Sequence, residues 1–133
     1  MQHRARKRFG QNFLEDLSVI TRILNAIDVR ETDHLVEIGP GKGALTESLV
    51  QQSRHLDVIE IDRDLVAYLR SRYAATENLT IHCTDALKTD FQSLTAGSEK
   101  LRVIGNLPYN ISTPLLFHLL DQQANIRDMH FML

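Results

Sequence analysis

The sequence predicts an α/β fold in which helices flank a mostly parallel sheet. Short apolar runs typical of buried strands alternate with longer stretches in which apolar residues recur at helical spacing. Such alternation is typical of a parallel sheet wrapped by helices. No repeat or low-complexity segment interrupts it, and 43% of the 133 residues are hydrophobic, enough for one core. We therefore expect residues 1–133 to form a single domain.

The alternation predicts five strands and four helices. The first helix follows the acidic pair Glu15-Asp16, which suits a helix N-terminus. The strands are expected at His34–Ile38, Leu56–Ile61, Leu79–His82, Leu101–Gly105 and from Met129 to Leu133. The helices are marked by Leu17, Ile20, Ile23, Leu24 and Ile27; by Leu45 and Leu49; by Leu65, Leu69 and Tyr73; and by Ser112-Thr113-Pro114. The last helix is expected to begin with a hydroxyl cap and a proline in its first turn.

Charge is distributed unevenly along the chain, although the formal net charge is only -2. The first ten residues contain no acid and four basic residues, Arg4, Arg6, Lys7 and Arg8. The remainder holds 11 basic against 17 acidic side chains. A basic arm on an acidic body is typical of local docking on a polyanion, and the alternative is a solvated terminal segment.

Several classes of protein and site are disfavoured. The basic start is not followed by an apolar stretch, so we expect no secretory signal, and no run approaches membrane-spanning length. The single cysteine, Cys83, excludes an internal disulfide and is expected to be a buried structural thiol. The six histidines show no metal-ligand spacing, so we expect surface or hydrogen-bonded core histidines and no metal.

A glycine loop follows the first predicted strand. Gly39, Gly41 and Gly43 let the backbone turn sharply and approach a ligand closely. Glu60 ends the second strand, where its carboxylate can accept hydrogen bonds from ribose hydroxyls. With Ala44 at the last position, the loop also fits a dinucleotide fingerprint. A nicotinamide enzyme and a turn without ligand therefore both remain open.

Glycine or polar residues end four successive strands. Asp85 follows the third strand and can accept a hydrogen bond from an adenine amine or act as a helix cap. Asn106 follows the fourth. In open parallel sheets, ligands bind beyond the carboxyl ends of the strands, where the strand order reverses. Gly39, Glu60, Asp85 and Asn106 are therefore expected to share one site.

The tetrapeptide Asn106-Leu107-Pro108-Tyr109 is the most informative motif. It offers a carboxamide oxygen, backbone carbonyls next to a proline, and an aromatic face. Such groups can hold the exocyclic amine of a planar base beside a methyl donor. Together with the glycine loop, the motif indicates an S-adenosylmethionine-dependent methyltransferase that acts on adenine in nucleic acid.

Four segments carry a family resemblance: Lys7-Arg-Phe-Gly-Gln-Asn-Phe-Leu14, Glu37-Ile-Gly-Pro-Gly-Lys-Gly-Ala-Leu-Thr46, Glu60-Ile-Asp62 and Gly105-Asn-Leu-Pro-Tyr-Asn-Ile-Ser112. Through them the chain resembles the ribosomal RNA adenine dimethyltransferases, most closely the bacterial branch that dimethylates two adjacent adenines near the 3′ end of small-subunit rRNA. The macrolide-resistance methyltransferases of large-subunit rRNA form a sister group. Gly10 before Gln11-Asn12 and Leu107 before Pro108 favour the small-subunit branch.

The resemblance implies a Rossmann-like methyltransferase fold, S-adenosylmethionine as cofactor, and a role for each matching residue. The implied cofactor-binding residues are Asn12, Leu14, Gly39, Gly41, Glu60, Asp85 and Asn106. Asn106, with the backbone around Leu107 and Pro108, is expected to receive the target amine, and Tyr109 to stack on the base. The basic residues Arg4, Arg6, Lys7 and Arg8 are expected to contact RNA.

The resemblance also implies the partners, which are small-subunit rRNA and the immature small ribosomal subunit in the cytoplasm. No membrane or metal is implied, and the full-length protein is expected to be monomeric. Family members continue through two more strands into a C-terminal helical domain, so we expect an incomplete catalytic portion that turns over poorly. A largely noncatalytic ribosome-assembly factor on the same fold is a further alternative.

Overall fold

The computed structural model describes residues 16–107 and 109–132, with the backbone alone for residues 109–112. It contains a five-stranded sheet with the strand order β3-β2-β1-β4-β5, in which every neighbouring pair is parallel. The strands are β1 (His34–Ile38), β2 (His55–Glu60), β3 (Leu79–Cys83), β4 (Leu101–Asn106) and β5 (Ile126–Met132). The predicted parallel α/β fold is confirmed.

Among the described residues, four helices flank the sheet: α1 (Leu17–Ile27), which precedes β1, α2 (Thr46–Gln52), α3 (Arg63–Arg72) and α4 (Tyr109–Asp121). Asp16 caps α1 by accepting a 2.9 Å hydrogen bond from the Ser18 amide. Short 3₁₀ helices occupy Ala86–Lys88, Phe91–Leu94 and Gln123–Asn125. The first two lie in the polar stretch for which the sequence predicted no element. None of the described helices is long and apolar enough to cross a membrane.

The core lies on both faces of the sheet. Successive strand residues point to opposite faces, so the neighbours Leu35 and Val36 belong to different apolar clusters. On one face, the strands pack with residues of the first three helices, Ile27, Leu49 and Leu69. On the other face, they pack with Phe91, Leu115 and Leu119. The sheet is therefore the middle layer between two layers of helices.

Helix α4 begins earlier than predicted. It starts at Tyr109, so Pro114 lies inside the helix and not in its first turn. The residue before a proline avoids the helical region, which explains why Leu107, before Pro108, is not helical. The helix starts two residues later. The loop between β4 and α4 is therefore very short, and the predicted Ser112-Thr113-Pro114 start is wrong.

Two other local predictions also fail. Strand β5 begins at Ile126, three residues before Met129. Cys83 is exposed and not a buried thiol. It ends β3, which is an edge strand of the sheet with only intermediate or exposed residues. Local hydrophobicity cannot reveal that an apolar strand lies at an edge.

A buried ion-pair network fixes the amino end of β4. Arg102 is only 4% exposed, and its guanidinium donates to Asp33 at 2.7 Å and to Asp128 at 3.0 Å. The same group donates to the Asp28 carbonyl oxygen at 3.2 Å. Arg102 therefore links β4 to the start of β5 and to the segment between α1 and β1.

Candidate active site

The carboxyl ends of the strands form a continuous row, which we call the carboxyl edge. The Thr84 amide donates to the Glu60 carbonyl at 3.1 Å and joins the ends of β3 and β2. The Gly39 amide donates to the Ile59 carbonyl at 3.0 Å and joins β1 to β2. On the other side of β1, a β-carbon added at Gly39 would lie 3.1 Å from the Asn106 carbonyl oxygen. The four predicted strand-end residues thus occupy adjacent positions.

The strand order reverses within this row. The chain proceeds from β1 outward to β2 and β3, and then returns to the other side of β1 as β4. Ligands of open parallel sheets bind at such a reversal. Gly39 and Asn106 flank it directly, because they end the two strands that diverge there.

The glycine loop, residues 39–43, requires glycine at three positions. The φ angles of Gly39, Gly41 and Gly43 are 68°, 60° and 92°, in the left-handed region that favours glycine. The Gly43 amide closes a turn on the Pro40 carbonyl at 3.0 Å. The loop therefore presents backbone atoms at the carboxyl edge with no side chain at its closest approach to Asn106.

Two buried carboxyl groups lie below this loop. Glu37, 3% exposed on β1, accepts a 2.6 Å hydrogen bond from the Thr46 hydroxyl. Burial raises the pKa of Glu37 to about 7, the nearby charge of Glu60 adds to the rise, and the Thr46 hydrogen bond opposes it. Glu60 is 8% exposed and accepts from the Asp62 amide at 3.0 Å. Two carboxyl groups therefore form the floor of the site, and burial favours the protonated form of one of them, Glu37.

Helix α3 anchors the glycine loop. Arg72 donates to the Lys42 carbonyl at 3.0 Å and to the Glu47 carboxylate at 2.7 Å. Its guanidinium lies 5.1 Å from the ring centroid of Tyr73. The Tyr73 hydroxyl in turn lies 3.4 Å from where a β-carbon of Gly43 would stand. The loop is thus held between the start of α2 and the end of α3.

Asp85 has a capping role in this structure. Its carboxylate accepts a 2.9 Å hydrogen bond from the Leu87 amide and caps the 3₁₀ helix Ala86–Lys88. This is the capping alternative that the sequence left open. One capping bond uses part of the acceptor capacity of a carboxylate, so Asp85 can still accept a hydrogen bond from a ligand.

Two exposed apolar side chains lie next to the acidic residues of this edge. Ile61 follows Glu60 and is 64% exposed, and Leu87 lies two residues after Asp85 and is 36% exposed. The sequence prediction placed Ile61 inside a strand, whereas β2 ends at Glu60. Exposed apolar groups beside hydrogen-bond acceptors are suited to binding a planar ring that carries an amine.

Asn106 is half-buried at the end of β4, whereas Leu107 is only 6% exposed. The Leu107 amide donates to the Met132 carbonyl at 3.2 Å, and its side chain packs in the second apolar cluster. Within the described part of the chain, no hydrogen bond engages the Asn106 carboxamide. The buried side chain of Leu107 therefore fixes the chain directly after Asn106, whose carboxamide is available to a ligand.

Several predicted site residues lie outside the described residues: Arg4, Arg6, Lys7, Arg8, Asn12, Leu14 and Pro108. For Tyr109 the structure describes the backbone, as the first residue of α4. Sequence reasoning assigned no site role to Glu37, Ile61, Arg72 or Leu87. Glu37 lies inside the glycine motif, so the sequence could have indicated a role for it. The contacts of Arg72 could not be predicted in this way, because they join segments 30 positions apart.

Comparisons with known proteins relate the chain to one family. Residues 2–133 match the family model described as ribosomal RNA adenine dimethylase. The ribosomal RNA small subunit methyltransferase A of Pseudomonas aeruginosa is 61% identical over 132 residues, and that of Pseudomonas syringae pv. syringae is 60% identical over 132 residues. Each match covers 99% of this chain and 49% of the relative. The chain thus spans about half the length of these curated relatives.

Solved structures show the same fold. A 23S rRNA methyltransferase, ErmE, superposes with a TM-score of 0.76 at 28% identity, over 91% of this chain and 48% of that one. A Plasmodium falciparum dimethyladenosine transferase gives 0.72 at 27% identity, over 87% and 42%. A Salinibacter ruber RNA methyltransferase in complex with S-adenosyl-L-homocysteine gives 0.65 at 27% identity, over 79% and 67%. Since the family model matches nearly the whole chain, the chain belongs to the ribosomal RNA adenine dimethylase family.

Proposed function

We propose that the protein transfers methyl groups from S-adenosylmethionine to the exocyclic nitrogens of two adjacent adenosines near the 3′ end of small-subunit rRNA. The contact between the glycine loop and the Asn106 backbone carries this proposal, because it sets a nucleoside-binding loop against an amine-binding carboxamide. The small-subunit target is supported by relatives named ribosomal RNA small subunit methyltransferase A. The likeness to a 23S rRNA methyltransferase makes the large-subunit target the alternative.

The residues of the carboxyl edge fit S-adenosylmethionine. Gly39 and Gly41 leave room for its methionine portion beside the backbone. Glu60 is placed to accept hydrogen bonds from ribose hydroxyls, and Asp85 from the adenine amine. Ile61 and Leu87 offer exposed apolar surface to the adenine ring. The carboxyl group of Glu60 on the floor of the site complements the positive sulfur.

Asn106 acts as a hydrogen-bond acceptor and not as a base, because a carboxamide has no useful basicity. The exocyclic nitrogen of adenine is a poor nucleophile, since its lone pair is delocalised into the ring. Acceptance of its hydrogens by the Asn106 oxygen and a carbonyl of Leu107 or Pro108 favours a pyramidal nitrogen with a directed lone pair. S-adenosylmethionine, when bound, supplies an electrophilic methyl group on a positively charged sulfur. Positioning by the protein then provides much of the rate.

Tyr109 is proposed to stack on the target adenine, a contact worth about 1–3 kcal/mol per base. Its place at the start of α4, directly after the β4 loop, keeps it near Asn106 along the chain. Stacking requires a target base that is unpaired or presented in a loop, as sequence-specific RNA recognition commonly demands.

The RNA backbone is proposed to dock on the basic arm, while only the target base enters the acidic carboxyl edge. Phosphates are repelled by the carboxylates there, whereas Arg4, Arg6, Lys7 and Arg8 supply the positive charge that binds a polyanion. Lys7 and Arg8 adjoin Asn12 and Leu14 along the chain. Docking of RNA on the arm is therefore proposed to promote closure of that segment over the cofactor.

The remaining features of the proposal concern context. Residues 1–133 act as one methyltransferase domain. The partner is the immature small ribosomal subunit, which places the reaction in the cytoplasm. Methyl transfer from a sulfonium donor needs no metal, no membrane is involved, and the full-length protein works as a monomer.

Labelled methyl transfer tests the proposal. Unmethylated small-subunit particles and, separately, large-subunit RNA are incubated with labelled S-adenosylmethionine. Because the chain spans half its relatives' length, it is assayed alone and as a chimera that replaces the equivalent half of the Pseudomonas aeruginosa relative. The variant Asn106→Ala is compared with Asn25→Ala, an exposed asparagine near the opposite end of the sheet.

We expect label on small-subunit adenines with the chimera, near-complete loss with Asn106→Ala, and normal transfer with Asn25→Ala. Near-normal turnover of Asn106→Ala would refute the assigned role of the carboxamide. Label on large-subunit RNA alone would move the protein to the resistance branch. Absence of label from the chimera, with the parent relative active beside it, would favour the noncatalytic assembly role.

A further inference from the structure

A second cluster of chemically active side chains lies at the amino ends of β1 and β2. His34 is the first residue of β1 and pairs in register with His55, the first residue of β2. Asp57 stands two positions after His55 and therefore points to the same face. Their ring nitrogens and carboxylate oxygen converge within 4.8 Å of one another. Nothing in the proposed methyl transfer uses these three residues.

The donor atoms converge on one point, where a direct hydrogen bond joins His34 to Asp57. His34 Nε2 lies 2.5 Å from Asp57 Oδ2, and His55 Nε2 lies 3.7 Å from the same oxygen. The two imidazole rings meet edge to face with centroids 5.1 Å apart. Ligands about 2.0–2.1 Å from a tetrahedral zinc ion are separated by roughly 3.4 Å. Binding of the ion therefore requires His34 Nε2 and Asp57 Oδ2 to move apart by about 1 Å.

The surroundings support the donors. Glu99 lies 2.8 Å from His34 Nδ1, so a carboxylate orients the ring from behind, as is usual for a metal-ligating histidine. His82 Nε2 lies 2.7 Å from Asp57 Oδ1 and steadies the other carboxylate oxygen. Arg54 pairs with Glu99 and balances its charge.

The cluster is buried but not closed. The side chains of His34 and Asp57 are 6% and 7% exposed, whereas that of His55 is 27% exposed. An ion can therefore enter past His55.

We propose that His34 Nε2, His55 Nε2 and Asp57 Oδ2 bind one divalent transition-metal ion, preferentially Zn²⁺, with water completing the coordination. Two imidazoles and one carboxylate form a mixed nitrogen and oxygen set that suits zinc. A histidine nitrogen that holds the ion cannot also carry a proton, so binding displaces any proton on Nε2. The ion takes the place of that proton, which is released to solvent, so affinity falls as the pH is lowered.

The proposed metal site is separate from the candidate active site. Gly39 lies five positions after His34, which corresponds to about 16 Å along a strand. The ion therefore has a structural role, in which it ties β1 to β2 at their amino ends. The sequence shows no metal-ligand spacing here, because the two histidine ligands, His34 and His55, lie on different strands and are 21 positions apart.

The test is titration of chelator-treated protein with Zn²⁺ by calorimetry and with Co²⁺ by visible absorption. His55→Gln removes the most accessible ligand, and His130→Gln, a half-exposed histidine on β5, is the matched control. We expect one ion per chain with a dissociation constant of about 1 µM or below. We expect at least tenfold weaker binding in His55→Gln, and no change in His130→Gln. Methyl transfer by the corresponding chimera should be the same with and without the His55 substitution.

X-ray absorption at the zinc edge of the unsubstituted protein provides a readout that does not depend on a variant folding. The spectrum should contain two imidazole ligands and light-atom oxygen ligands. Absence of binding at about 100 µM Zn²⁺ would overturn the proposal. Equal affinity in His55→Gln and the unsubstituted protein, or a spectrum without imidazole scattering, would overturn it as well.

Discussion

The contact between Gly39 and Asn106 can be tested by adding one methyl group. In Gly39→Ala, the new β-carbon meets the Asn106 carbonyl oxygen at 3.1 Å, whereas ordinary contact begins near 3.4 Å. The obstacle is backbone, so the ends of β1 and β4 must separate by a few tenths of an ångström. Alanine also has to adopt a φ of 68°, which costs an L-residue about 1–2 kcal/mol.

Gly97→Ala is a matched control for the backbone cost. Gly97 has nearly the same φ, 66°, and an added β-carbon there meets nothing within 4 Å. We expect Gly97→Ala to lower the free energy of unfolding by about 1–2 kcal/mol. For Gly39→Ala, the close contact adds about 1–3 kcal/mol.

Two assays separate the strain from the function. Urea unfolding measures the free energy of unfolding, and calorimetric titration with S-adenosylhomocysteine measures cofactor-site affinity. Gly39→Ala should weaken binding about tenfold or more, a loss of at least about 1.4 kcal/mol, while Gly97→Ala leaves affinity unchanged. Equal losses of stability in the two variants, or unchanged affinity in Gly39→Ala, would refute the reasoning.

Three further predictions concern buried or exposed single groups. The folded-state pKa of Glu37 is raised from 4.5 to about 7, so the stability from its bound proton is present below pH 4.5 and is lost as the pH rises through 7. Between pH 4.5 and pH 8, the free energy of unfolding of Glu37→Gln, measured in urea, should therefore rise by about 3 kcal/mol relative to that of the parent. A difference between the two proteins that does not change with pH would contradict this. Arg102→Met leaves Asp33 buried without its closest cation. This substitution should lower the free energy of unfolding by about 3–5 kcal/mol in the same assay. A double variant that also carries Asp33→Leu should recover most of that loss. A loss below about 1 kcal/mol in Arg102→Met would show that the network contributes little. The exposed Cys83 should react with a thiol reagent as fast in native protein as in urea, and strong native protection would contradict its exposure.

The strands and the row of strand-end residues could be predicted because their signals are local. All five residues of β1 are buried, so the strand reads as one apolar run even with His34 and Glu37 in it. The glycines mark a turn by their own conformational freedom. The adjacency of Gly39 and Asn106 then followed from the general rule that parallel strands end at one edge.

The predictions that were wrong have a common physical cause. Whether a residue is covered by elements distant in the chain cannot be read from its local sequence. Cys83 ends an apolar run, yet within residues 16–107 and 109–132 no strand pairs with β3 on its outer side. Ile61 continues the apolar run of β2 but projects into solvent beyond the last sheet position. Pro114 resembled a first-turn proline, whereas α4 had already begun at Tyr109.

The electrostatics of the molecule also depend on long-range contacts. The proton held by Glu37 results from its burial and from Glu60 on the neighbouring strand. The cluster of His34 and Asp57 joins positions 23 apart in the chain. The roles of all the predicted site residues stay predictions, and the side chains of Asn12, Leu14, Tyr109 and the basic arm lie outside the described part of the chain.

Mass spectrometry of nucleosides from treated small-subunit particles tests the central claim most directly. The particles are incubated with S-adenosylmethionine and the chimera described above, and their RNA is digested and compared with that of untreated particles. We predict N6,N6-dimethyladenosine at two adjacent positions near the 3′ end, and none when the chimera carries Asn106→Ala. Recovery of unmodified adenosine alone, or of methyl groups on another atom or base, would contradict the proposed reaction.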